Sequence, residues 1–416
     1  MARGAERALP RPPNRMSSLL AKSLARIKPS ATIAVTDAAR QLKADGHDVI
    51  GLGAGEPDFD TPDHIKAAAA EAMRAGKTKY TAVGGIAELK QAICDKLQRE
   101  NGLAHAPDEV LVSPGGKAVV YNAMMASLNA GDEVVIPAPY WVSYPDIVRL
   151  AGGTPVLLEA GHEQGFKLGA AELAGALTAR TKWVILNSPS NPTGAAYTHA
   201  ELAALLAPLS DHPQVHVLSD EIYEHLVYGD FVFTSAARAA PELAARTLTV
   251  NGVSKAFAMT GWRIGYGAGP APLIKAMTKI QSQSTSNPTS ISQWAAVAAL
   301  NGPTDFLGAW RQSFQARRDL VVAELNAAEG LSCTMPSGAF YAYPTWAGLK
   351  GKTSKGGARL TNDVAFAQAL LKEAGVAIVP GEAFGMSPYF RLSYATSEEL
   401  LRDALARIAG FCASCA

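Results

Sequence analysis

Five short apolar runs, each ending directly in glycine, proline or polar residues, constrain this chain more than any other feature. Glu109–Ser113 meets Pro-Gly-Gly, Asp132–Pro137 meets Ala-Pro-Tyr-Trp, and Lys182–Asn187 meets Ser-Pro-Ser-Asn-Pro-Thr-Gly. Val215–Asp220 meets Glu-Ile-Tyr, and Thr247–Asn251 meets a glycine and then a lysine. Alanine-rich segments of helical period separate the runs. Ile86, Leu89, Ile93 and Leu97 mark one such face, and Gly102 follows as a stop signal. Strands alternating with helices predict an α/β fold with a mostly parallel sheet. In open sheets of that kind ligands bind beyond the carboxyl ends of the strands. Gly115, Gly116, Trp141, Asn191, Asp220, Tyr223 and Lys255 are therefore expected on one rim, although they lie far apart in sequence.

Lys255 carries the sharpest chemistry. It lies between apolar stretches in Thr247–Gly265, on what reads as a strand-to-helix turn. Burial disfavours the charged ammonium, and a neutral lysine amine attacks carbonyl carbons. An ordinary turn lysine is the plainer reading of this residue alone. Asp220 closes a strand that is otherwise mostly apolar, and a buried carboxylate needs a cation or donors. It reads either as the cap of a helix beginning at Glu221 or as the partner of a heterocyclic cation. Tyr223, three residues on, could face the same object. Ser113-Pro114-Gly115-Gly116-Lys117 reads as a strand-to-helix turn whose free amides suit an anion. Arg263 and Arg391 sit in apolar frames, where an arginine pairs with an anion, either a ligand or a structural carboxylate.

Other signals are rejected. Gly51, Gly53 and Gly55 are followed by two prolines, and Gly265, Gly267 and Gly269 by Pro270, which deny the helix a dinucleotide fingerprint needs. Gly351-Lys352-Thr353 lacks the first glycine of a phosphate-binding loop, since Trp346 holds that position. The net charge is +1 over 416 residues, with no basic excess for nucleic acid. No apolar run is long enough to cross a bilayer. The four scattered cysteines point to a reducing compartment, the cytoplasm, and Cys412 and Cys415 read as incidental residues of a tail rather than a metal or redox pair. No metal site is expected. Met1 to Arg15 reads as a disordered extension, with a second candidate start at Met16.

Taken together, the motifs resemble the aspartate aminotransferase family, fold type I of the enzymes that use pyridoxal 5'-phosphate. The strings are Gly-Ala-Gly-Glu-Pro-Asp-Phe at 53–59, Lys-Thr-Lys-Tyr at 77–80, Pro-Tyr-Trp-Val-Ser-Tyr-Pro at 139–145 and Asn-Ser-Pro-Ser-Asn-Pro-Thr-Gly at 187–194. Ser-Asp-Glu-Ile-Tyr-Glu follows at 219–224, Ser-Lys-Ala-Phe-Ala-Met-Thr-Gly-Trp-Arg-Ile-Gly at 254–265 and Arg-Leu-Ser-Tyr-Ala-Thr-Ser at 391–397. Lys28–Thr32 and Gly115–Lys117 resemble the bacterial branch whose members handle aspartate and prephenate.

That resemblance implies a large domain over 65–296 with a mostly parallel seven-stranded sheet. It also implies a smaller α+β domain from 29–64 and 297–416, and an N-terminal extension and arm over 1–28. It implies that Lys255 would hold pyridoxal phosphate covalently and then move a proton. Asp220 would pair with the ring nitrogen, a means by which a protein tunes this cofactor. Tyr223 and Asn191 would meet the ring oxygen, and Trp141 would stack on the ring. Arg263 with the amides of Gly116 and Lys117, beside Gly115, would bind the phosphate. Tyr80 would reach the phosphate of a second subunit, so the sites would be shared in a homodimer. Arg391 would clamp the substrate carboxylate with help from Gly55, and Lys28 and Lys117 would take the distal carboxylate. The family pattern places a phosphate-binding serine three residues before the lysine; here that position is Gly252, and Ser254 is the nearby candidate. The expected reaction is ping-pong transfer of an amino group between aspartate or glutamate and a 2-oxo acid, 2-oxoglutarate, oxaloacetate or prephenate. A carbon–sulfur β-lyase or an aromatic aminotransferase on the same fold remains the alternative.

Overall fold

The computed structural model describes residues 19–29 and 31–416. The expected extension up to residue 18, and Ser30 within the Lys28–Thr32 string, lie outside the described residues. The strands are β1 (Ile50–Gly51), β2 (Val110–Ser113), β3 (Glu133–Ala138), β4 (Thr154–Glu159), β5 (Thr181–Asn187) and β6 (His216–Asp220). They continue as β7 (Thr247–Gly252), β8 (Gly265–Ala268), β9 (Tyr341–Ala342), β10 (Val376–Ala377), β11 (Val379–Pro380) and β12 (Phe390–Ser393). Seven of them form one sheet in the order β2-β8-β7-β6-β5-β3-β4. β8 runs antiparallel to both its neighbours, and the other pairings are parallel. All five expected strands are present.

Alternation along the central strands explains why the sheet is buried on both faces. Val134 and Ile136, Trp183 and Ile185, and Leu218 pack into one cluster with Val119, Ala123 and Met124 of the helix Gly116–Ser127. Their neighbours Val135, Val184, Leu186 and Val217 pack on the other side with Leu202, Leu205 and Leu206. The side-chain period of two sends successive residues to opposite faces. Each fully buried Leu, Ile or Val contributes about 1.5–3 kcal/mol of transfer free energy.

A second body forms around β9, β11 and β12 with the helices Phe306–Ala327, Asp363–Ala374 and Glu398–Ala413. Phe314, Trp346, Phe366, Leu392 and Phe411 fill its core, and Ile50 and Leu52 join them. Cys412 and Cys415 are buried in this core, so they belong to a packed helix end and not to a tail. The reason is spacing: Leu401, Leu405, Ile408 and Cys412 recur on one face of the last helix.

Two local expectations are corrected. Residues 221–226 form hydrogen-bonded turns, not a helix, with Glu224 N–H donating to Glu221 and Leu226 N–H to Tyr223. The lysine turn joins two antiparallel strands, with Gly252 opposite Gly265, rather than a strand and a helix. β8 can return beside β2 only because position 265 has no side chain: a Cβ there would lie 2.2 Å from the Gly116 nitrogen.

Candidate active site

The parallel strands end on the same rim, and a cavity of about 370 Å³ opens there. Gly116, Trp141, Asn191, Asp220, Tyr223 and Lys255 line it together, as strand topology predicts, and Gly55, Lys117, Ser254, Arg263 and Arg391 line it with them. Gly115 stands behind this wall. It holds a φ of +90°, and a Cβ on it would come 2.4 Å from Arg263 Nη2. The helix Gly116–Ser127 begins here without a side-chain cap. Its free N–H groups and the Arg263 guanidinium therefore form one electropositive corner. Arg263 itself donates to the carbonyls of Thr260 and Pro114.

Asp220 ends β6 buried, where Tyr144 O–H donates to its Oδ2 at 2.6 Å and Ile222 N–H to its Oδ1. Burial lifts its pKa to about 6, against the opposing pull of Tyr144, Ile222 and Lys255. A carboxylate in that state favours a cation placed next to it. Asn187 supports the same strand end, donating to the Asp220 carbonyl and accepting from Asn191 N–H.

Lys255 is half-buried and directs its amine into the cavity, donating to the Gly55 carbonyl at 2.5 Å. Burial, then the Arg391 charge, depresses its pKa to about 8; Glu56 and Asp220 oppose the shift and Arg263 adds to it. The amine therefore reaches its neutral form far more readily than a solvated lysine does.

Arg391, on β12, is buried and donates from Nη1 to Asn191 Oδ1 and from Nη2 to the Gly53 carbonyl. Its Nε is buried without a partner among the described residues. Such a donor is expensive to leave unmatched. Tyr223 and Tyr341 hydroxyls meet at 2.9 Å beside this guanidinium, which lies 4.6 Å from the Tyr341 ring centre. Lys117 is exposed as a residue, yet its amine hangs 5.0 Å from the Trp141 ring centre. Loss of water there, and then Arg263, lower its pKa.

Two candidates lie apart from this wall. Tyr80 is 92% exposed and Lys28 is exposed, and neither lines the cavity. Tyr341, Asn187, Glu56, Thr260 and Tyr144 were not singled out from sequence. Glu56, Tyr144, Asn187 and Thr260 lie inside quoted strings, so the sequence shows their positions but not their contacts. Among the described residues, no helix is long and apolar enough to cross a membrane.

The model of the family described as aminotransferase class I and II matches residues 47–408. The chain is 65% identical to a protein of Cereibacter sphaeroides named aspartate/prephenate aminotransferase, over 95% of this chain and 99% of that one. It is 58% identical to an aspartate aminotransferase of Rhizobium meliloti, over 90% and 91% of the two chains. Among solved structures, an aspartate aminotransferase from Rhizobium meliloti superposes with a TM-score of 0.93 at 55% identity, covering 95% and 99%. One from Thermus thermophilus, with maleate, gives 0.88 at 46% identity, covering 94% and 99%. With the sheet, the rim cavity and these matches in agreement, the chain belongs to the class I and II aminotransferases and is an aminotransferase enzyme.

Proposed function

We propose that the rim cavity holds pyridoxal 5'-phosphate and that the enzyme moves an amino group from aspartate or glutamate to a 2-oxo acid, with prephenate among the acceptors. One observation carries the reading: a depressed lysine amine, a buried carboxylate and a buried arginine converge on a single cavity of about 370 Å³. The chemistry of the donors fits the cofactor. The uncapped helix start with Arg263 suits a phosphate, the Asp220 carboxylate suits a pyridinium cation, and the unmatched Arg391 Nε suits a substrate carboxylate.

When bound, pyridoxal phosphate supplies an aldehyde and an electron-withdrawing ring. The protein supplies placement and proton movement. Gly116 and Lys117 N–H groups with Arg263 would bind the phosphate, and Ser254, buried at the lysine turn, would add a hydroxyl. Asp220 would hold a positive ring nitrogen, which in turn would draw its own pKa back down. Tyr223 O–H and the Asn191 amide would donate to the ring oxygen, and Trp141 would cover one ring face. Lys255 would hold the cofactor through its amine and, once freed by an incoming amino acid, take a proton from the substrate α-carbon and return it. A base near neutrality suits that exchange. Arg391 would clamp the α-carboxylate, aided by the backbone at Gly55.

Lys117 would meet the distal carboxylate, with Lys28 a weaker second candidate on the N-terminal arm. The names of the relatives, and maleate with the Thermus thermophilus structure, support a dicarboxylate. The exposure of Tyr80 suits contact with a second subunit in a homodimer with shared sites. The test is a substrate panel: aspartate and glutamate as donors against 2-oxoglutarate, oxaloacetate, prephenate and aromatic acceptors. Amino transfer to and from dicarboxylates is expected, with kcat/KM for aspartate and prephenate falling about tenfold or more in Lys117→Ala. Unchanged kcat/KM in that variant would remove Lys117 from the specificity site.

A further inference from the structure

Behind the cavity wall lies a buried ionic cluster that the reaction as described does not use. Lys96, Asn101, Glu224 and Asn251 are each at most 7% exposed. The Lys96 ammonium donates to Glu224 Oε1 and, at 2.8 Å, to Asn101 Oδ1. Asn251 Nδ2 donates to Glu224 Oε1 and Asn101 Nδ2 to Glu224 Oε2, each at 2.7 Å. Asn251 Oδ1 accepts from the N–H of Gly252. Every charge in this cluster therefore has a partner. Glu100, Glu224 and His225 also gather here within 4.8 Å, but the Lys96 ammonium lies against both carboxylates, as a cation would.

The cluster joins the two irregular segments that carry Tyr223 and Lys255. Glu224 follows Tyr223 in the turn 221–226, which lacks a helical ladder. Asn251 sits in β7 directly before the lysine turn. Lys96 and Asn101 come from a third element, the helix Ala87–Lys96, which widens into a π turn at Leu97–Asn101 before Gly102 stops it. Such local widening often marks functional sites. The same helix supports the lysine turn apolarly, since Leu89, Ile93 and Leu97 pack with Val253, Ala256, Phe257 and Met259.

Stability is a poor explanation for a pair of this kind. Buried ion pairs replaced by apolar residues of similar volume are often neutral or stabilising. Fixing the relative position of two segments is a better one, because the geometry is set by directional bonds to a single carboxylate. We propose that the Lys96–Glu224 pair, with Asn101 and Asn251, is a positioning unit that holds the Tyr223 and Lys255 turns in register for proton transfer. This rests on the roles assigned to those two residues above. Supporting it, burial pushes the Glu224 carboxyl up, but Lys96, His225 and Asn101 outweigh burial and keep it below the ordinary value.

The test uses the cofactor-loaded enzyme with Asn251→Ala, which cuts the tie to the lysine turn and leaves the ion pair intact. It also uses the double variant Lys96→Met with Glu224→Leu, which removes the pair. In both, kcat is expected to fall about 10- to 100-fold, while KM for aspartate stays within about twofold because Arg391 is untouched. Thermal midpoints separate this from a folding defect: the double variant is expected to unfold within a few degrees of the parent. A second readout needs no turnover. In the cofactor-free protein, the pH dependence of Lys255 acetylation by an amine-reactive anhydride should shift upward by about one pH unit in Asn251→Ala as water reaches the loosened turn. Unchanged kcat and unchanged labelling in Asn251→Ala would overturn the inference while leaving the proposed function intact. A parent enzyme without amino transfer would contradict the proposed roles instead, and the labelling shift would still decide this point.

Discussion

Two lysines lie in the interior wall of this enzyme, and their surroundings differ. Lys96 is wrapped by the Glu224 carboxylate and the Asn101 amide, so its charge is matched at contact distance. Lys255 meets a neutral carbonyl, with the Arg391 guanidinium near enough to oppose its charge. An ammonium held at contact distance by a carboxylate and an amide can organise structure. An ammonium facing a carbonyl and a like charge is ready to lose its proton and act as a nucleophile or base. Partners at contact distance, more than depth, separate a structural lysine from a reactive one.

The largest expected effect removes the reactive member. Lys255→Ala should lower turnover by about 10⁴-fold or more, measured as glutamate formed from 2-oxoglutarate, and leave the fold intact by circular dichroism. Breaking the structural member alone should cost stability as well. Lys96→Met alone leaves Glu224 buried and unpaired, and urea unfolding should show a loss of about 3–5 kcal/mol. If Lys96→Met cost activity but no stability, the contrast between the two lysines would fail.

The contrast sharpens with pH. The Lys255 amine has a pKa of about 8 in the folded protein, against 10.5 ordinarily. Between these values the unfolded chain binds more protons at this site, so stability rises with pH across that window. Denaturation of the cofactor-free protein at pH 8 and at about 10.5 should show this rise, and Lys255→Met should show less of it. An identical slope in that variant would mean that the amine is not depressed. Smaller still is Tyr144→Phe. It deletes one donor to Asp220 and should cost about 1–2 kcal/mol in transition-state stabilisation, read as kcat/KM. Lys28→Ala, at an exposed residue outside the cavity wall, should change aspartate kcat/KM less than Lys117→Ala does.

Much of this arrangement was legible from sequence because strands and their ends are local signals. The five apolar runs, the helical segments between them and their polar terminators predicted the sheet and the rim, and the rim gathered Lys255, Asp220, Asn191 and Trp141 into one cavity. β8 was not anticipated. Gly265–Ala268 is short and glycine-rich, and it pairs antiparallel through contacts that only the folded backbone defines. The segment after Asp220 carries a helical pattern, but Glu221 N–H bonds to the Val250 carbonyl and the chain turns instead. Tertiary bonds overrode local propensity there. Tyr341 was invisible for another reason: its hydroxyl gains meaning only from Tyr223, 118 residues away. The Lys96 cluster is of the same kind, built from residues 96, 101, 224 and 251 that no spacing rule connects.

The central claim is that one amine, Lys255, carries the cofactor. Borohydride reduction of the purified, cofactor-loaded enzyme, followed by peptide mass spectrometry, tests it most directly. The account predicts a pyridoxyl phosphate adduct on the peptide containing Lys255 and on no other lysine. An adduct on Lys117, or none on Lys255 in an enzyme that still transfers amino groups, would contradict it.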